Sequence, residues 1–341
     1  MMEKILTVVV PTYNMEKYLD RCLSSLIVED SLMDVLEVIV VNDGSKDRSS
    51  EIAHSYGAKY PQTFIVVDKE NGNYGSCVNK GIDLATGKYF RILDADDWFD
   101  NTGLKRFLQS LAEIDSDVVV TKFTSFCDDG SNHINGFGDN RKLNFLYDLS
   151  DPAIDFQPDI WQRMHQVTYR LGLLKSSALM LQTGISYTDT EYVYFPMKSA
   201  ATILFLDVVL YQYCYSRDGQ TMSLSSRKKS IGDMYRVAMR LLTDYVSQGN
   251  STNKALQVSP LKSILELLYL TVLEDCPFSM KNNSYLLKVE RVLKRDEYLK
   301  RFTGGLTVRD FHYVSFWRRW GFSRNSAPYR FYMRIKRSAQ I

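Results

Sequence analysis

Along the first hundred residues, short β-branched runs alternate with stretches whose apolar residues recur every three or four positions. Ile5-Leu6-Thr7-Val8-Val9-Val10 has the composition of a buried parallel strand. Behind it, Asn14 stands where a helix N-cap belongs, and Tyr18, Leu19, Cys22, Leu23 and Leu26 share one helical face. The same reading predicts a strand over 35–41, a helix over 49–56 stopped by Gly57, and a strand over 64–67. A helix over 74–85 ended by Gly87 and a fourth strand over 88–93 follow. Strand–helix–strand repeats with short connections predict an α/β fold, a mostly parallel sheet flanked by helices. Ligands of such sheets bind at the carboxyl ends of the strands.

A further strand over 116–126 leads into a polar stretch, 127–138, rich in Gly, Asn and Asp, and later into the strand-like run 203–211. From about residue 230 the period is helical: Met234, Val237, Ala238, Leu241 and Leu242, then Leu261, Ile264, Leu265, Leu268 and Val272. The charged Arg227-Lys228-Lys229 marks the expected boundary, dividing a catalytic domain, 1–228, from a helical C-terminal region, 229–341.

A hydrophobic fraction of 45% allows a large core, and a net charge of +2 gives no argument for a polyanionic partner. The five cysteines are odd in number and lack CxxC spacing, which suits free thiols in a reducing compartment. The first apolar run is short and ends at Pro11, so it reads as a strand and not as a secretory signal. Stretches 200–211 and 261–273 are too short to span a bilayer and carry Asp207, or Lys262 and Glu266. These features lead us to expect a cytoplasmic protein, soluble or peripheral at the inner face of the membrane.

The chemistry-bearing residues gather at three strand ends: Pro11-Thr12-Tyr13-Asn14, Asn42-Asp43-Gly44-Ser45 and Asp94-Ala95-Asp96-Asp97. Neighbouring carboxylates repel, and a run emerging from an apolar strand calls for a cation. Oxygen donors of this kind suit Mg²⁺ or Mn²⁺, which would in turn hold phosphate. Asp43 can serve as a turn residue or accept an N–H from a base edge, and Tyr13 can pack or stack on that base.

Together, Thr7–Asn14, Val38–Ser45 and Ala85–Asp97 resemble the family 2 glycosyltransferases, built on the Rossmann-like nucleotide-sugar fold called GT-A. The likeness covers roughly residues 5–220. It implies that Pro11, Thr12, Tyr13 and Asp43 line a uridine pocket. It further implies that Asp94 and Asp96 form the DxD motif, Asp96 on the metal with Asp94 on the ribose or beside it. The implied partners are a UDP-sugar donor and a glycan, lipid-linked or glycoprotein acceptor, and the implied stereochemistry is inverting. One departure stands out: the family's Ala-Arg-Asn reads Cys77-Val78-Asn79 here, leaving Lys80 as a substitute cation or a solvated side chain.

Inverting transfer needs a carboxylate to take the acceptor's proton. The family's Tyr-Glu-Asp reads Tyr187-Thr188-Asp189 here, so the resemblance names Asp189 as base, with Glu191 the alternative; by spacing alone both fit a helix N-terminus. His165 and Arg217 match segments bordering the acceptor cleft and the diphosphate, which opens a metal or acceptor role to His165 and a phosphate contact to Arg217, while a lone histidine or loop arginine more often has a plain structural reading. Residues 311–341 interleave seven basic residues, including Arg318, Arg319 and Lys336, with Trp317, Trp320 and Phe331, in a pattern suited to an anionic membrane surface, a packed helix or an oligomer contact. Nucleic acid is not expected. The first strand lacks the GxGxxG turn of dinucleotide-dependent oxidoreductases and the glycine-rich basic loop of sugar nucleotidyltransferases. Asp94, Asp96 and Asp189 argue against a catalytically silent binding partner.

Overall fold

Two parallel strands, β1 (Leu6–Thr12) and β2 (Leu36–Asn42), are buried along all seven residues of each. Cover on both faces is why they read as near-continuous apolar runs and not as alternations. The computed structural model describes residues 3–126, 131–137, 141–151, 163–177, 179–214, 223–248, 254–308, 310–321, 323 and 326. Its contacts define two units, Met1–Arg217 with Ala255–Gln257, and Asp218–Lys254 with Val258–Ile341.

In the first unit, β3 (Phe64–Asp68) runs parallel beside β2, and β4 (Tyr89–Ile92) runs parallel beside β1. The sheet order is β3-β2-β1-β4-β9-β6-β10-β5, with β5 at Trp98–Phe99, β6 at Val118–Phe126, β9 at Val167–Arg170 and β10 at Thr202–Cys214. Two short strands complete it: β7 (Asn132–Asn135) on β6, and β8 (Leu146–Asp148) on β10. Only β9 breaks the parallel run across the middle, pairing antiparallel with both β4 and β6. Helices α1 (Leu19–Ser24), α2 (Asp30–Met33), α3 (Ser49–Lys59), α4 (Asn73–Leu84), α5 (Asn101–Glu113), α6 (Leu171–Ser176) and α7 (Asp189–Met197) connect the strands.

Two local expectations are corrected. Asn14 caps no helix, since α1 begins only at Leu19. Asn14 adopts φ 55°, and its side-chain oxygen accepts from the Lys46 N–H at 2.8 Å, tying the end of β1 to the loop after β2. Nor does Gly57 stop α3, which continues to Lys59. An added Cβ at Gly57 would meet Val66 Cγ2 at 3.3 Å, so this glycine serves close packing of α3 on β3.

The second unit is helical: α8 (Leu224–Lys229), α9 (Ile231–Ser247), α10 (Lys254–Leu270) running into a π-helical turn at Thr271–Asp275, α11 (Met280–Leu293), α12 (Glu297–Gly304) and α13 (Tyr313–Trp320). The periodic residues of α9 and α10 are buried as their spacing requires. Among the described residues one helix, Lys254–Asp275, is long and apolar enough to cross a membrane, and 67% of its apolar window is buried within the protein. In the basic, aromatic tail, Trp317 is buried and donates to Asn283 Oδ1 at 2.7 Å, while Arg318 is clamped on Glu290. Arg319 and Trp320 face outward, and most of the tail beyond Gly321 lies outside the described residues.

The face of α4 against β1 depends on Gly81, where an added Cβ would lie 2.4 Å from Val9 Cγ2. Gly81→Ala is expected to cost about 1–3 kcal/mol through overpacking. Urea unfolding should show a lowered midpoint with an unchanged slope.

Candidate active site

The register brings Thr12 beside Asn42 and Asn42 beside Asp68, so the carboxyl ends of β1, β2 and β3 form one edge, with Asp94 two residues beyond the end of β4. Pro11 and Thr12 are buried at this edge, whereas Tyr13 is 46% exposed and offers its ring outward. Asp43 is buried, with its backbone N–H donating to Thr12 O at 2.8 Å. Its carboxylate accepts from Lys69 Nζ at 2.5 Å, the Gly72 N–H at 2.9 Å and the Asn73 N–H at 2.8 Å. A charge-assisted acceptor thus satisfies two of the orphan donors at the start of α4. The cation at this point is Lys69. Lys80, by contrast, pairs with Asp83 at 3.5 Å on the surface, which leaves it the solvated reading.

From that fixed turn, Tyr74 sends its hydroxyl 2.8 Å from Asp94 Oδ1. Asp97 is fully buried and accepts from Tyr211 Oη at 2.7 Å and the Cys214 N–H at 2.9 Å. Tyr211 in turn accepts from the Asp94 N–H at 3.2 Å, so β10 braces the acidic segment. Burial, then the charges of Asp96 and Asp94, hold the Asp97 carboxyl well above the usual aspartate range. Asp96 is buried too, and its backbone carbonyl accepts from Arg21 Nη2 at 2.7 Å.

Asp189 opens α7, two residues after Tyr187, which is held at φ 66°. A tyrosine in the left-handed region is strained backbone of the kind found beside reacting groups. Burial raises the Asp189 carboxyl above its ordinary value, and the Glu191 charge adds to the rise. Glu191 is fully buried and committed elsewhere: its two oxygens accept from Gln182 Nε2 at 2.6 Å and the Gln182 N–H at 2.9 Å. The segment before α7 also docks on the start of α4. The Gly184 N–H donates to Gly72 O at 2.7 Å, and a Cβ on Gly75 would sit 2.1 Å from Gln182 O. Tyr74 lies between the two acidic groups, its phenol pushed up by burial and by the charges of Asp94 and Asp189.

His165 reaches the same edge from the segment before β9. One ring nitrogen lies within 4.8 Å of carboxylate oxygens on Asp94 and Asp97, which are within 4.8 Å of each other; Asp96 is outside that group. Burial, then Arg163 and Arg91, press the His165 pKa down to about 3, so the ring is neutral. Arg91 is fully buried and donates to Thr121 Oγ1, Thr168 Oγ1 and the His165 carbonyl. Arg217 lies outside the described residues.

Sequence reasoning missed Tyr74, Tyr211, Lys69 and Arg91. Of these only Arg91 carried a signal, as a charge inside an apolar strand; the others are ordinary residues until folding brings them to the carboxylates.

The Glycosyl transferase family 2 model matches residues 7–153. The chain is 28% identical over 217 residues to the uncharacterized glycosyltransferase EpsJ of Bacillus subtilis (strain 168), covering 61% of this chain and 60% of EpsJ. It is 28% identical over 239 residues to the poly(ribitol-phosphate) beta-N-acetylglucosaminyltransferase TarS of Staphylococcus aureus (strain Mu50 / ATCC 700699), covering 69% of this chain and 39% of TarS. The matched segments thus span less than two thirds of either relative. Among solved structures, S. aureus TarS 1–349 in complex with UDP superposes with a TM-score of 0.57 at 21% identity, covering 92% of this chain and 87% of that one, which supports the common fold.

Because Asp97 binds its proton more tightly folded than unfolded, its contribution to stability is full below the ordinary aspartate pKa. It is lost as pH rises through the raised value. Asp97→Asn is therefore expected to raise the melting temperature of the cation-free protein at pH 8. Mn²⁺ should raise the melting temperature of the parent more than that of the variant, as scanning fluorimetry would read.

Proposed function

We propose that this chain, whose residues 7–153 form a glycosyl transferase family 2 domain, moves a sugar from a UDP-sugar to an acceptor hydroxyl with inversion. One observation carries the reading: the first turn of α4 is bonded at once to Asp43, to Asp94 and to the segment that leads into Asp189. A donor-side set of carboxylates and a separate candidate base are thereby fixed to one short element. The likeness to TarS, crystallised with UDP, supports the choice of nucleotide.

On this reading, Tyr13 stacks on the uracil above the buried Pro11 and Thr12, and Asp43 accepts from the base edge once Lys69 yields one of its oxygens. A divalent cation fits the chemistry of the donor set. Asp94, Asp96 and Asp97 are crowded enough to hold one of them above its normal protonation range, and a cation relieves that repulsion. The carboxylates of this acidic run would hold it, Asp94 together with Asp96 or with its neighbour Asp97. When bound, Mn²⁺ or Mg²⁺ supplies neutralising charge for the departing diphosphate.

Asp189 takes the proton from the attacking hydroxyl. Its desolvated carboxylate is a stronger base than an exposed one, and its place after the strained Tyr187 fixes its aim. Glu191 serves instead to hold Gln182, and so the base-bearing segment, in position. The acceptor class we favour is a hydroxyl on a cell-surface glycan or polyol-phosphate polymer, by the name of the TarS relative. Attachment at the inner face of the membrane through the basic, aromatic tail suits such an acceptor.

Asp189→Asn is expected to lower transfer by about 100-fold or more while leaving UDP affinity by calorimetry within about twofold. In the parent, transfer should fall as pH drops through the raised Asp189 pKa, because the charged form is the base. Equal loss of binding and turnover in the variant would remove Asp189 from this role. Failure to release nucleotide from any sugar donor, with Mn²⁺ present, would overturn the transferase reading itself.

A further inference from the structure

We infer that His165 is a nitrogen ligand of the divalent cation at the end of β4, in a set with Asp94 and Asp97. The inference rests on the metal-dependent reading above and assigns it a ligand from outside the acidic motif.

Strand register brings the residue there. Tyr89 pairs with Arg170 and Phe90 with Tyr169 in the antiparallel ladder of β4 and β9. Continuing that register by simple counting sets Thr168 against Arg91 and His165 against Asp94. The Arg91 guanidinium bonded to Thr168 Oγ1 agrees with this continuation. The same guanidinium holds the His165 carbonyl, which fixes the backbone from which the ring projects.

The ring itself is held but not satisfied. It stacks on Phe123 at 5.3 Å and meets Tyr211 at 4.8 Å and Tyr213 at 4.2 Å between centroids. Its Nδ1 is sealed from solvent without a hydrogen-bond partner. A buried imidazole nitrogen usually finds an acceptor or a metal, since leaving it unmade costs about 1–3 kcal/mol. One ring nitrogen and carboxylate oxygens of Asp94 and Asp97 all lie inside 4.8 Å of one another. Donors on a Mg²⁺-sized ion lie roughly 3 Å apart when adjacent and roughly 4 Å when opposite, so the set need close by no more than about 2 Å.

The donor types agree as well. Each carboxylate has about four lone-pair sites, so the phenol and amide bonds to Asp94 and Asp97 leave room for a metal. Only a neutral imidazole has a lone pair to offer a metal. A nitrogen ligand beside two oxygens inclines a site toward transition metals, so between Mg²⁺ and Mn²⁺ this set favours Mn²⁺.

The test is electron spin-echo envelope modulation on Mn²⁺ and UDP bound to the full chain grown with nitrogen-15 histidine. The chain has four histidines, so substitution assigns any signal. The expected result is a histidine nitrogen coupling in the parent that disappears in His165→Ala and in His165→Gln. In both variants Mn²⁺ binding should weaken by at least the roughly tenfold seen when a metal site loses a supporting partner, with Mg²⁺ binding less affected. If Mn²⁺ binds with UDP but no nitrogen coupling appears, or if it persists in the variants, this assignment is wrong and the carboxylate site stands. Absence of Mn²⁺ binding would overturn both. The glutamine variant retains polarity and approximate size, so a folding defect of the alanine variant leaves the question answerable.

Discussion

Three aspartates within four residues at the end of a buried strand set the terms for everything around them. Two carboxylates about 5 Å apart repel by roughly 3–4 kcal/mol at an effective dielectric constant near 20. A hydrogen bond to a charged group returns about 1.5–3 kcal/mol. The chain supplies two phenols, Tyr74 and Tyr211, and the Cys214 amide against this repulsion. Those bonds and the repulsion are comparable in size, and Asp97 remains hard to ionise. The segment is stable enough to be built and unstable enough to favour a cation, which is the property a metal–diphosphate site requires.

The partners recruited against that repulsion also explain how distant segments come into register. Tyr74 reaches Asp94 only because Asp43 has seized the amides of Gly72 and Asn73, and because Asn73 accepts φ 67°. The same turn takes the Gly184 amide and admits Gln182 O against a bare Gly75. Residues more than a hundred positions apart are thus fixed to the single four-residue stretch 72–75. Precision of this order matters to catalysis, where displacement by about 1 Å between reacting groups can cost 100-fold in rate.

The parallel half of the sheet was legible because β1, β2 and β4 are buried on both faces and therefore carry mostly strand-forming apolar residues, with Glu37 and Arg91 as buried charged exceptions. The three strand-end segments were legible for the same reason, as polar runs emerging from apolar ones. Asn14 and Gly57 misled because cap and stop residues are also used for long-range ties and close packing, which no local window reveals. His165 read as a lone histidine, since its neighbours come from an antiparallel pairing of β4 with β9 that separates them by about seventy residues in the chain. Glu191 and Asp189 were indistinguishable by spacing. Burial and the bonds to Gln182 separate them, and both are products of the fold.

The central claim is that the acidic end of β4 grips a divalent ion and, through it, a sugar donor's diphosphate. A crystal structure of the full chain with UDP and Mn²⁺, read at the manganese absorption edge, tests it most directly. The account predicts an anomalous peak at the Asp94–Asp97 edge touching the diphosphate, with Tyr13 over the uracil and Asp189 across the cleft. UDP bound elsewhere, or bound here with no metal peak at that edge, would contradict it.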